Sequence, residues 1–135
     1  MTYNLREHTA DIAVEARADS LGDVFASVAD GLAAAMCDSW PSVGERFSFT
    51  TRSESLEAAL YDYLDQLIYE RDTRNVLPVA NRATVQRQGG VWIVRASARG
   101  VPLNRVEARE VKAVTYSDMT IERQDGWHAY VVFDV

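Results

Sequence analysis

The sequence predicts a two-layer α/β sandwich, with a mixed or mainly antiparallel sheet covered on one face by two helices. Two kinds of observation predict it. Two stretches repeat apolar residues at helical spacing, and at least five others alternate apolar with polar residues, several joined by tight-turn sequences. At 135 residues and 47% hydrophobic composition, with no internal repeat, the chain has the size of one domain spanning 1–135.

Tyr3 and Leu5 alternate with polar neighbours, Glu7-His8-Thr9-Ala10-Asp11 interrupts, and Ile12, Val14 and Ala16 resume the alternation as a strand entering the core. Ser20 with Asp23 resembles a capping box in which Asp replaces Glu. Leu21, Val24, Phe25, Val28, Leu32 and Met36 then mark a helix from Leu21 to Met36. Trp40-Pro41 ends that segment, with Trp40 read as a lid on the core. Arg46 to Thr51 alternates through Phe47 and Phe49 as a half-buried strand. Ser55 caps a second helix with an apolar stripe of Leu56, Leu60, Tyr63, Leu64, Leu67 and Ile68. Strand patterns through Val85 and from Val91 to Ala96 flank Gly89-Gly90, a hairpin turn rather than a phosphate loop, since no further glycines and no helix follow. A loop from about Gly100 to Arg109 leads into Val111 to Tyr116, and a final hairpin joins Met119–Gln124 to Trp127–Val135.

Charge narrows the function classes. The net charge of −6 opposes nucleic-acid binding as a default. It is unevenly spread: residues 1–70 hold 13 acids and 4 bases, and residues 71–135 hold 7 acids and 10 bases. Arginine supplies 13 of the 14 bases, and Arg74, Arg82, Arg87, Arg95, Arg99, Arg105 and Arg109 face only Glu107 between residues 73 and 109. The favoured reading of this run is a solvated sheet face, the sharper one a patch for a phosphate-rich or acidic partner. The lone Cys37 reads as a buried, inert thiol, which sets aside disulfides and structural zinc. No apolar run approaches a bilayer span, and the first residues lack the order of a signal peptide, so a cytoplasmic protein with no membrane partner is expected.

The last hairpin carries a geometric expectation. With Asp125-Gly126 as a two-residue turn, Ser117 is expected opposite Asp134. Within the last strand Trp127, Ala129, Val131 and Phe133 share one face, and His128, Tyr130, Val132 and Asp134 the other. Asp134 then stands beside the terminal carboxylate of Val135, like charges that a divalent cation or the Lys112 ammonium would relieve.

Three separated blocks resemble the archease family: Glu7-His8-Thr9-Ala10-Asp11-Ile12, Lys112-Ala113-Val114-Thr115-Tyr116 and Phe133-Asp134-Val135. The resemblance covers essentially the full length. It implies a non-catalytic activator of the RtcB-type RNA ligase of tRNA splicing and RNA repair, favouring ligase guanylylation and multiple turnover, with tRNA or RNA ends met indirectly. It also implies metal ligation by Asp11, Asp134 and Val135, the last through a main-chain or terminal oxygen. Hard oxygen donors suit Ca²⁺, Mg²⁺ or Mn²⁺. Lys112, the only lysine, matches the family's lysine and is assigned a supporting role in activation. The chain departs from the family at Ser117, often His, and in the loop before Lys112, which lacks the usual His. A structural and a functional role for His8 stand equal. The alternative function is a chaperone-like adaptor with a purely structural metal. A hydrolase built on Glu7, His8 and Asp11 ranks third, because no nucleophile, base and oxyanion set surrounds them.

Overall fold

The computed structural model describes residues 2–8 and 11–135, with the side chains of residues 6–8 outside the described set. The chain runs β1 (Thr2–His8), β2 (Asp11–Ala18), α1 (Leu21–Met36), β3 (Glu45–Ser53), α2 (Leu56–Arg74), β4 (Val76–Gln88) and β5 (Val91–Pro102). A 3-10 turn at Leu103–Arg105 then precedes β6 (Ala113–Val114), β7 (Thr120–Arg123) and β8 (Trp127–Asp134).

The helices form where capping and apolar spacing agree. Ser20 accepts from the Asp23 amide at 3.2 Å and Ser55 from the Ala58 amide at 3.1 Å, so each helix begins with one of its orphan donors satisfied. Asn75 ends α2 in the left-handed conformation that Asn tolerates.

The α/β reading holds, and the described strands are all antiparallel. They divide into two sheets. The first has the order β1-β2-β8-β6, with β7 sharing the β8 edge, and the second is β3-β5-β4. Helix α1 packs on β2 of the first sheet and on β4 of the second, which is why burial extends well beyond one stripe to Ala26, Ala29, Ala33 and Ala35. Helix α2 packs mainly on the second sheet, stacking Tyr63 between Phe25 and Phe49 with ring centroids 5.8 and 5.9 Å apart. Trp40 packs against this core, as expected of a lid, and Cys37 is buried with its thiol donating to the Ser39 carbonyl at 2.9 Å.

Gly89 and Gly90 both take positive φ, 58° and 79°, and close the two-residue turn between β4 and β5. Strand β4 begins earlier than its alternation suggests, because a bulge lies between Val79 and Arg82. Asp30 of α1 accepts from both the Asn81 amide (3.1 Å) and its side chain (2.9 Å), holding the bulge in place.

The last hairpin requires a correction. Arg123 pairs with Trp127, so the turn has three residues, with Asp125 and Gly126 at positive φ. Paired residue numbers therefore sum to 250 along β7, and to 247 along β6. The segment between β6 and β7 takes three residues out of the ladder, turning back through a 3.1 Å hydrogen bond from the Met119 amide to the Tyr116 carbonyl. Ser117 is exposed in that turn, and Ala113 is the residue opposite Asp134.

Candidate functional site where β2, β6 and β8 meet

Asp11 opens β2 and Asp134 closes β8, and the two are direct cross-strand partners. Such partners have Cα atoms about 4.5–5.5 Å apart and project to the same face. The next pair, Ile12 and Phe133, turns to the opposite face, where Phe133 is fully buried. Alternation thus puts the two carboxylates on the face opposite to Ile12 and Phe133, Asp134 exposed and Asp11 half-buried. Register extends the row to His8 on one side and Ala113 on the other. The side chains of Glu7 and His8, and all of Thr9 and Ala10, lie outside the described residues.

Each residue of the Lys112–Tyr116 block has a structural task. The Lys112 amide donates to the Asp134 carbonyl at 2.8 Å and the Thr115 amide to Val132 at 3.0 Å, which fastens the block to β8. Val114 enters the core, and Tyr116 stacks on Tyr61 of α2 with centroids 4.2 Å apart. Burial, then the Asp62 carboxylate and Tyr61, push the Tyr116 phenol above its ordinary pKa. The Lys112 side chain is exposed and forms no ion pair among the described residues.

Two arginines that sequence reasoning left out of the site hold this block from the other side. Arg71 of α2 is buried; its Nη1 donates to the Val111 carbonyl at 2.6 Å and its Nε to Asp72 at 2.9 Å. A signal for it exists: Arg71 continues the spacing of Leu64, Leu67 and Ile68, and so falls on the buried stripe. Arg109 donates through Nε to the Ala35 carbonyl at 3.1 Å, and its amide reaches the Met36 carbonyl at 2.6 Å. Helix α1 carries no basic residue in its last turn, so Arg109 supplies the charge its C-terminus favours. Its 3.0 Å hydrogen bond to Asp38, and then that carboxylate's charge, hold the guanidinium above its ordinary pKa.

Asp11 and Val135 line one depression of about 270 Å³, together with Ala35, Arg109 and Glu110. Glu110 brings a further carboxylate to this depression, with no sequence pattern to mark it. The donors offered to a cation are all oxygen: the carboxylates of Asp11 and Asp134 and a main-chain oxygen of Val135. Among the described residues no three His, Cys, Asp or Glu side chains gather into a metal-holding group.

Comparison with known proteins places this architecture. The sequence model of the archease protein family (MTH1598/TM1083) matches residues 3–135. The archease of Pyrococcus furiosus is 33% identical, with 96% of this chain and 95% of that protein covered. That of Methanosarcina acetivorans is 31% identical, with 98% and 95% covered. The solution structure of Methanobacterium thermoautotrophicum protein 1598 superposes with a TM-score of 0.84 at 27% identity, covering 98% of both chains. The crystal structure of a Thermotoga maritima protein described as "an archease, possible chaperone" gives 0.64 at 27% identity, covering 96% of this chain and 94% of that one. With the three sequence blocks, the two-helix architecture and a match over nearly every residue in agreement, the chain belongs to the archease family.

Proposed function

We propose that this protein is a non-catalytic accessory factor that activates an RtcB-type RNA ligase in tRNA splicing or RNA repair, promoting ligase guanylylation and multiple turnover. The observation that supports the reading most is the pairing of Asp11 with Asp134, with the Lys112 amide on the Asp134 carbonyl. This joins three family-matched residues at one end of the paired strands β2 and β8. Asp11, Asp134 and a main-chain oxygen of Val135 would hold a divalent cation, and their hard oxygen chemistry fits Ca²⁺, Mg²⁺ or Mn²⁺. A bound cation supplies positive charge that neutralises the facing carboxylates and orients a phosphate or acidic group of the ligase. Lys112 presents a compact ammonium beside it, suited to a phosphate oxygen. The main chain does the positioning: Asp134 is held through its carbonyl, Val111 through Arg71, and the preceding segment through Arg109 on the end of α1.

The test is ligation of RNA ends by limiting RtcB-type ligase with GTP and metal. Asp11→Ala, Asp134→Ala and Lys112→Ala are expected to abolish stimulation while circular dichroism shows the fold intact. Full stimulation of multiple turnover by all three would sink the proposal. A second reading, favoured by the description of the Thermotoga maritima relative, is a chaperone-like adaptor whose metal is structural. It predicts that chelation unfolds the protein and that no ligase is stimulated.

A further inference from the structure

The outward face of the three-stranded sheet has an unusual make-up. Arg46 of β3 stands across from Arg99 of β5, and Arg82 of β4 stands across from Ser97. Arg95 lies between Thr50 and Thr84. Alternation puts these residues on the side away from Phe47, Phe49 and Val94, which face the core, and no carboxylate occupies an outward position among them.

None of the four arginines forms an ion pair among the described residues. Their hydrogen bonds go to neutral acceptors. Arg46 donates to the Ala80 carbonyl and to Ser97, both at 2.9 Å, Arg99 to the Val43 carbonyl at 2.9 Å, and Arg95 to Gln86 at 3.1 Å. Desolvation, followed by the nearby charges of Arg82 and Arg99, lowers the Arg46 pKa, the two charges marking these three guanidiniums as near neighbours. Arg82, Arg95, Ser48 and Ser97 line a shallow depression of about 570 Å³ on this face.

The spacing selects the kind of anion. Between Cα atoms, Arg95 and Arg99 are four residues apart on the central strand, roughly 13 Å, and Arg46 and Arg82 are two strand spacings and two residues apart, roughly 12 Å. Arg46 reaches Ser97 and Ala80 and feels the charges of Arg82 and Arg99, and Arg95 carries the positive charge two residues further along the central strand. The charge thus extends along the sheet beyond one point, which matches a run of phosphates better than a single one. The face also lacks an exposed aromatic or aliphatic anchor of the kind that carries most of the energy in protein interfaces. A polyphosphate backbone needs no such anchor, because its binding is largely electrostatic and its oxygens accept from guanidinium forks and from the hydroxyls of Ser48, Thr50 and Thr84.

We propose that the outward face of the three-stranded sheet is a docking surface for the backbone of single-stranded RNA, the choice of RNA resting on the ligase-activator reading. The contact is independent of base sequence. It lies on a different sheet from Asp11 and Asp134, so one molecule has separate faces for RNA and for the ligase.

The test is fluorescence anisotropy of a short labelled single-stranded RNA with the full chain at increasing salt, without ligase. Four neutralised phosphates give a slope of log K against log salt of about −3. The Arg82→Ala, Arg95→Ala double variant is expected to bring it to about −1.5, while Lys at both positions keeps the wild-type slope. Both side chains are exposed, so the fold is expected to survive, with near-ultraviolet circular dichroism as the check. Arg123→Ala, on the other sheet, serves as the control and is expected to leave the slope unchanged. Absence of binding at low salt, a double-variant slope equal to wild type, or displacement of the RNA by an equal charge of polyglutamate would each overturn the inference, the last assigning the face to an acidic protein. The assay contains no ligase, so failure here leaves the activation reading standing. Loss of ligase stimulation by Asp11→Ala bears on that reading alone.

Discussion

Arg71→Met separates the positioning of Lys112 from its chemistry. Met keeps most of the apolar stem and removes the guanidinium, so the loss is chiefly the 2.6 Å hydrogen bond to the Val111 carbonyl. A hydrogen bond from a charged donor contributes about 1.5–3 kcal/mol, and the carbonyl left behind is buried with Val111, which is 1% exposed. The Asp72 partner adds little, since its side chain is 62% exposed and its pairing is screened by solvent. The total is about 3 kcal/mol, or roughly a 10 °C fall in melting temperature for a chain of this size. Hydrogen exchange reads the mechanism directly. The Lys112 amide, which donates to Asp134 one residue beyond the lost contact, is expected to lose protection more than the amides at the centre of β2. Ligase stimulation is expected to fall with it, although Lys112, Asp11 and Asp134 are unchanged. A variant within about 2 °C of wild type, or one with undiminished Lys112 protection, would refute the claim that Arg71 holds this segment.

Two further outcomes test the core. Tyr63 is fully buried and its hydroxyl makes no hydrogen bond among the described residues, so Tyr63→Phe is expected to match or exceed wild-type stability at neutral pH by up to about 1 kcal/mol, measured by urea denaturation. Burial, and then Asp30, push the Tyr63 pKa far up. The folded-state pKa is therefore raised above the unfolded value of about 10, stability is complete below that pH, and it falls above it by about 1.4 kcal/mol per pH unit as the unfolded chain ionises. The Phe variant is expected to lack this slope, and parallel alkaline profiles would reject the assignment. Gly31→Ala would place a Cβ against Val14 Cγ1 and the Tyr3 ring. Overpacking of about 1–3 kcal/mol should outweigh the roughly 1 kcal/mol that alanine gains in helix propensity. A higher melting temperature would show that α1 can move away from β2.

The features legible in the sequence are those fixed by local chemistry. Ser20 and Ser55 satisfy amides three residues away, and Gly89-Gly90 supplies two positive φ angles in succession, so the helix starts and the β4-β5 turn need no long-range information. Division into two sheets was not legible, because α1 buries one side on β2 and another on β4, and its alanines read as ordinary helix residues until the second sheet is present. The bulge at Ala80 and Asn81 is held by Asp30, 51 residues away in sequence, and the grip of Arg71 on Val111 spans 40. Nothing in a local window reports contacts of that separation.

The register of the last hairpin shows where local reasoning stops. Which face each β8 residue takes depends only on alternation within the strand, and Phe133 and Val131 are indeed fully buried with Asp134 exposed. Which residue stands beside Asp134 depends instead on the length of the turn and on residues lost from the ladder before it. One extra turn residue and the segment between β6 and β7 replace Ser117 by Ala113. The functional consequence is specific. Ala113 adds no donor beside the carboxylates, and a Ser117→His change would place the imidazole in the turn near Tyr116 and not opposite Asp134. Lys112, whose amide is fixed on the Asp134 carbonyl, stands one residue from Ala113, and this is why Lys112 and not Ser117 is the residue to substitute first.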